Sequence, residues 1–212
     1  MVKTASDVAN AYPLIAIIRG VTPETCIEVG QILVDAGFDM IEVPLNSPEA
    51  IKSIGMLVEH FGTDEYFIGA GTVTTLDAAK AVVETGANLV VTPNCNVDVI
   101  KYCSENDCAT FPGVVTPTEA FTALDSGATG LKFFPVSMVG LDGMKAMLSV
   151  LPKGTKCYPV GGINPSEASM EPYVSAGAAG FGLGSSLYKP SMSLAQIKAN
   201  AEAFVATYNA LV

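Results

Sequence analysis

Basic residues are scarce in this chain. Lysine and arginine together number 11 against 21 acidic residues, a formal net charge of −10, and Arg19 is the only arginine. Such a surface has no basic footprint with which to neutralise phosphates, which excludes nucleic acid and anionic membrane as partners. Histidine is as rare: His60 alone, in a polar stretch after Leu57 and Val58, reads as a solvated helix residue rather than a ligand. The five cysteines, Cys26, Cys95, Cys103, Cys108 and Cys157, contain no CxxC spacing and are odd in number. That pattern lacks both a zinc ligand set and a disulfide framework, and fits reduced intracellular thiols. No apolar run is long enough to span a bilayer. The start, Met1-Val2-Lys3-Thr4-Ala5-Ser6-Asp7, lacks the charged-then-apolar order of a secretory signal. A cytoplasmic location is expected.

What the chain has in quantity is hydrophobic residues, at 50%, with 20 glycines and 13 prolines spread along its 212 positions. This suits a compact protein with many tight turns. Short apolar runs recur at 14–19, 40–45, 67–72, 89–93, 109–114, 130–135, 156–161 and 179–184, each followed by apolar residues at helical spacing. Hydroxyl or amide residues precede proline where helices should open, at Thr22-Pro23, Ser47-Pro48, Thr116-Pro117 and Asn164-Pro165, as expected of caps. Glycine closes them at Gly37, Gly86, Gly127 and Gly177. Apolar strands alternating with amphipathic helices imply right-handed parallel crossovers, and eight such units close a barrel. The expectation is therefore α/β: one (β/α)8 TIM barrel over residues 1–212, with Leu194 to Leu211 as its eighth helix. An open doubly wound sheet is the alternative, but no GxGxxG follows the first strand.

In such a barrel, chemistry belongs at the carboxyl ends of the strands, where the chain places Arg19, Glu42, Thr72, Pro93, Lys132, Gly161, Gly162, Gly184 and Ser185. Lys132 lies in Gly130-Leu131-Lys132-Phe133-Phe134-Pro135, and Glu42 in Met40-Ile41-Glu42-Val43-Pro44-Leu45. Burial depresses a lysine pKa and frees a lone pair for Schiff-base chemistry. A lysine that snorkels to water is the plainer alternative for Lys132 alone, and a structural ion pair for the two together. Gly161-Gly162 and Gly182-Leu183-Gly184-Ser185-Ser186 end the last two strands, where this fold holds phosphate on backbone amides. Arg19 is then free for a second anion such as a carboxylate. Thr72 suits either a substrate oxygen or the cap of the next helix.

These residues sit in runs that resemble the class I aldolases of 2-keto-3-deoxy-6-phospho sugar acids across nearly the whole chain. The runs are Glu42-Val43-Pro44-Leu45, Gly69-Ala70-Gly71-Thr72-Val73, Val91-Thr92-Pro93, Phe111-Pro112-Gly113, Leu131-Lys132-Phe133-Phe134-Pro135 and Val160-Gly161-Gly162-Ile163. Within that family the chain is most similar to the phosphogalactonate branch, through residues 15–23 and Pro44-Leu45-Asn46-Ser47-Pro48. The phosphogluconate branch usually carries arginine at Asn46 and threonine at Val160. The resemblance implies Lys132 as the Schiff-base nucleophile and Glu42 as the proton shuttle. It further implies Arg19 and Thr72 on the carboxylate, Gly161, Gly162, Gly184 and Ser185 on the phosphate, and Pro93 and Phe134 as a wall. It implies a phosphorylated keto sugar acid as substrate, no cofactor or metal, and a homotrimer. The same residues leave open a sugar-phosphate isomerase or epimerase using Glu42 as base, and a noncatalytic sugar-phosphate binding module.

Overall fold

The computed structural model describes residues 2–212. Parallel strands β1 (Leu14–Ile17), β2 (Met40–Pro44), β3 (Phe67–Gly71), β4 (Leu89–Val91) and β5 (Ala109–Phe111) fall inside the first five apolar runs. They are followed by β6 (Gly113–Val114), β7 (Leu131–Phe133), β8 (Cys157–Pro159) and β9 (Phe181–Leu183). Seven α-helices lie between strands, α1 (Cys26–Asp35), α2 (Ala50–Phe61), α3 (Leu76–Val83), α4 (Val97–Glu105), α5 (Pro117–Asp125), α6 (Val136–Val150) and α7 (Glu167–Ser175), and α8 (Leu194–Asn209) follows β9. The strands form a six-stranded sheet ordered β5-β4-β3-β2-β1-β9 and a three-stranded sheet ordered β6-β7-β8. The architecture is α/β, with parallel sheet curled around a shared interior.

The fifth apolar run becomes two strands because Pro112 has no N–H to give to a ladder. Its carbonyl still accepts from Lys132 N at 2.9 Å. The strand carrying Lys132 is accordingly β7 rather than the sixth. On the other side, Val160 makes an isolated parallel bridge to Gly182.

Strand residues alternate between two apolar layers, as the period of two requires. Leu14, Ala16, Ile41, Val43, Ile68 and Ala70 pack against the helices. Ile15, Met40, Phe67, Leu89, Phe111 and Tyr158 form an inner cluster, in which Phe111 and Tyr158 meet edge to face across the two sheets with ring centroids 5.0 Å apart. Val8, on a short 3-10 helix (Ala5–Asn10), joins the same cluster. Its carbonyl accepts from Lys156 Nζ at 3.2 Å. Burial of each such large apolar side chain stabilises the fold by about 1.5–3 kcal/mol.

Of the anticipated caps, Thr116 alone behaves as read. Its hydroxyl accepts from Glu119 N, Glu119 reaches back to Thr116 N, and Pro117 is the first helical residue. The residue at the start of α1 is Thr25, at α2 Glu49, and at α7 Ser166. Ser47 and Asn164 are engaged across loops instead, as described below. The closing glycines behave as expected, with left-handed φ from 83° to 101° at Gly37, Gly86, Gly127 and Gly177. His60 is exposed near the end of α2. Among the described residues no helix is long and apolar enough to cross a membrane, no cluster could hold a metal, and all five cysteines are free.

Candidate active site

Alternation along β2 and β7 decides where the two charged strand residues point. Ile41 and Val43 face the helices on either side of Glu42, and Leu131 and Phe133 do so on either side of Lys132. Glu42 and Lys132 therefore face the interior. Glu42 is in register with Ile17 of β1 and Gly69 of β3, and Lys132 with Gly113 of β6 and Tyr158 of β8.

Both are out of water: Glu42 is 1% exposed and Lys132 6%. Desolvation raises the Glu42 carboxyl to about 7, against the opposing pull of the Lys132 and Arg19 charges. Desolvation lowers the Lys132 amine, Glu42 opposes that shift, and Arg19 adds to it. The pair thus interacts electrostatically without forming a salt bridge; among the described residues ion pairs within 4 Å are Lys52–Glu49 and Lys198–Glu202 only. Glu42 Oε2 has no hydrogen-bond partner at all. A buried carboxylate oxygen left unpaired costs stability. Lys132 Nζ stands 4.6 Å from the centroid of the Phe134 ring, which shields it.

Lys132 opens into a cavity of about 540 Å³ that also gathers Arg19, Phe134, Val160, Gly161, Gly162, Gly184 and Ser185. Gly161 and Gly162 take left-handed φ of 106° and 76°. Glycine is the residue that takes this backbone without strain. Among the described residues the amides of Gly162 and Ser185 donate to no backbone acceptor. The cavity thus gathers an amine, a guanidinium and unpaired backbone amides.

Thr72 and Pro93 stand at the ends of β3 and β4 but do not line this cavity. Thr72 is not the cap of α3: Thr75 is, with its hydroxyl accepting from Ala78 N at 3.2 Å. Thr72 instead adopts φ 59°, a left-handed conformation that costs a branched residue energy and that concentrates at functional sites.

Several residues make contacts that the sequence reading did not assign. Arg19 Nη1 donates to Asn46 Oδ1, and Gly20 N donates to Ser47 Oγ at 2.8 Å, so the loop after β2 holds the loop after β1. Asn46 thus orients the only guanidinium. Ser186 Oγ donates to Asn164 Oδ1 at 2.8 Å, joining the two glycine-rich ends. Lys189 and Pro190 complete the cavity rim. The available signal was that Ser186 directly extends the Gly184-Ser185 run; the partners themselves lie far away in sequence.

Known proteins are similar to this chain. A 2-dehydro-3-deoxy-6-phosphogalactonate aldolase of Escherichia coli (strain K12) is 42% identical over 200 residues, covering 94% of this chain and 96% of the relative. A solved structure described as native KDPGal superposes with a TM-score of 0.91 at 42% identity, over 94% of this chain and 96% of that one. A KDPG aldolase of Legionella pneumophila, solved with pyruvate captured as a covalent carbinolamine intermediate, has a TM-score of 0.79 at 28% identity, over 99% of this chain and 98% of that one. The family model for KDPG and KHG aldolase matches residues 6–202, and the chain belongs to that family.

Proposed function

We propose that the protein is a Schiff-base aldolase that cleaves 2-dehydro-3-deoxy-6-phosphogalactonate to pyruvate and glyceraldehyde 3-phosphate. The observation that carries the reading is the pair of buried, unbridged ionisable groups, Lys132 and Glu42, with one Glu42 oxygen unpartnered. A structural ion pair needs contact between its members, and these two form no salt bridge.

Desolvation lowers the pKa of Lys132 and so raises its share of neutral amine. It attacks the C2 ketone carbon, and the carbinolamine loses water to give an iminium. Glu42, with its carboxyl near neutrality, returns a proton to the departing hydroxyl and afterwards takes the proton of the C4 hydroxyl. The C3–C4 bond breaks with its electron pair moving into the iminium. Glyceraldehyde 3-phosphate leaves, the enamine is protonated at C3, and hydrolysis frees pyruvate and Lys132. Arg19 and Thr72 bind the carboxylate in this proposal. Gly161, Gly162, Gly184 and Ser185 bind the phosphate through amides and a hydroxyl. Phe134 and Pro93 bound the reacting carbons and limit water, which protects the enamine.

The epimer preference rests on Asn46, which engages Arg19, and on Val160, which offers no hydrogen bond to a sugar hydroxyl. Both proposed strand connections, through Pro112 and through the Val160–Gly182 bridge, support closure of the two sheets into a complete eight-unit barrel. The five free cysteines support a reducing, cytoplasmic setting. The homotrimer implied by the resemblance is checked by light scattering, where the mass of a single chain rejects it.

The decisive experiment combines trapping with turnover. The protein is incubated with pyruvate, reduced with borohydride, and digested for mass analysis. The expected result is a reduced pyruvate adduct on Lys132 that Lys132→Met lacks. Coupled pyruvate release is expected from both epimers, faster from the galactonate. An unmodified Lys132 under turnover conditions refutes the covalent mechanism.

A further inference from the structure

Gly71 ends β3 at a position where a glycine needs a reason. It lies within a strand, its φ is outside the left-handed region, and glycine there costs conformational entropy without contributing side-chain packing. A strand glycine of this kind marks close approach by another group. The approaching group here is a carboxylate. A Cβ added at Gly71 falls inside the contact radii of both Glu42 oxygens and of the carboxyl carbon, and meets nothing else nearer. Gly69, in direct register with Glu42, differs: its Cβ meets the Leu89 backbone, not Glu42. The Glu42 side chain thus leans along β3 toward the carboxyl ends of the strands and lays its head over Gly71. There Oε2 is buried without a partner.

We propose that Gly71 is a positioning residue, whose missing side chain creates the space in which the Glu42 carboxyl is held facing the Lys132 amine. The inference rests on the proposed aldolase chemistry for its kinetic consequence but not for its geometry. Because the Cβ of an alanine meets the end of a side chain and not backbone, the fold survives Gly71→Ala by rotating Glu42 away. What changes is the place from which the proton is taken. Glu42→Asp shortens the side chain by one methylene, about 1.5 Å, which gives back the room that the added methyl removes.

The test is a double-mutant cycle of Gly71→Ala and Glu42→Asp, read by kcat and KM for aldol cleavage and by the unfolding midpoint. Gly71→Ala is expected to lower kcat by about tenfold or more, with a smaller change in KM. Borohydride trapping of pyruvate on Lys132 is slower than in the parent but still reaches the same adduct. In the native background Glu42→Asp lowers kcat, whereas in the Gly71→Ala background it raises it; this reversal of sign is what a merely structural glycine does not produce. If Gly71→Ala unfolds, the same residue in a Glu42→Ala background, where nothing remains to collide with, is expected to fold. Additive effects on kcat, or an equal loss of stability with and without the Glu42 side chain, overturn the proposal. A parent protein that releases no pyruvate from either epimer refutes the aldolase reading instead, and the coupling in stability still tests Gly71.

Discussion

Replacing Glu42 by glutamine is expected to make the protein more stable in mild alkali and far less active. Burial lifts the Glu42 carboxyl from 4.5 to about 7. At about 1.4 kcal/mol per pKa unit, the ionised carboxylate costs the fold up to about 3 kcal/mol. Because the folded pKa is the higher, the folded state holds this proton more tightly than the unfolded chain. The contribution of Glu42 to stability is fully present below pH 4.5 and is lost as pH rises through about 7. Glutamine resembles the neutral acid in size and never ionises. Parent and variant are therefore expected to match near pH 4.5 and to diverge until about pH 8, the variant reaching a Tm higher by up to about 6–12 °C. Loss of the carboxylate also removes the charge that supports the Lys132 ammonium, which trims the gain. Urea and thermal unfolding of both proteins at intervals from pH 4.5 to pH 8 measure the difference. Over the same range turnover is expected to fall by about 10²–10⁴-fold, the loss of a positioned acid–base group. A variant less stable than the parent at pH 8, or an offset that does not change with pH, refutes a desolvated, unpartnered carboxylate.

Other consequences can be measured on the same preparations. Since Glu42 acts as a base in the cleavage step, kcat/KM for the sugar acid is expected to rise with pH through about 7; a flat profile from pH 5.5 to pH 8 rejects that role. Arg19→Ala removes the guanidinium beside the cavity and is expected to raise KM by roughly 10–100-fold, the worth of a charged hydrogen bond, while trapping on Lys132 persists at saturating pyruvate. Val160→Thr keeps the shape of the side chain and adds a hydroxyl to the cavity wall. It is expected to move the kcat/KM ratio toward the gluconate epimer by about tenfold, and an unchanged ratio removes Val160 from the account of specificity.

Much of the strand plan was legible because parallel strands covered on both faces read as continuous apolar runs. The exception, the break between β5 and β6, follows from Pro112, whose lack of an N–H was visible in the chain but whose effect depends on which ladder it interrupts. Helix ends were less legible. Thr116 capped as read because both partners of its capping box lie within three residues, whereas Ser47 took a partner 27 residues away in Gly20. A hydroxyl before proline has the same appearance in either case.

Lys132 and Glu42 stood out in the sequence for one reason: charge inside an apolar run needs compensation or a use, and this conflict is local. The parity of each strand then sent both side chains inward. Everything that makes them a site is nonlocal. Only the tertiary structure decided that they approach without pairing, that Asn46 holds Arg19 and that Thr72 leaves the capping of α3 to Thr75. Only the tertiary structure, too, decided that the Glu42 carboxyl occupies the space over Gly71. Sequence by itself determines which residues must leave water, since hydrophobic burial follows composition and period; which polar atoms then meet one another is determined by the packing of strands far apart in the chain.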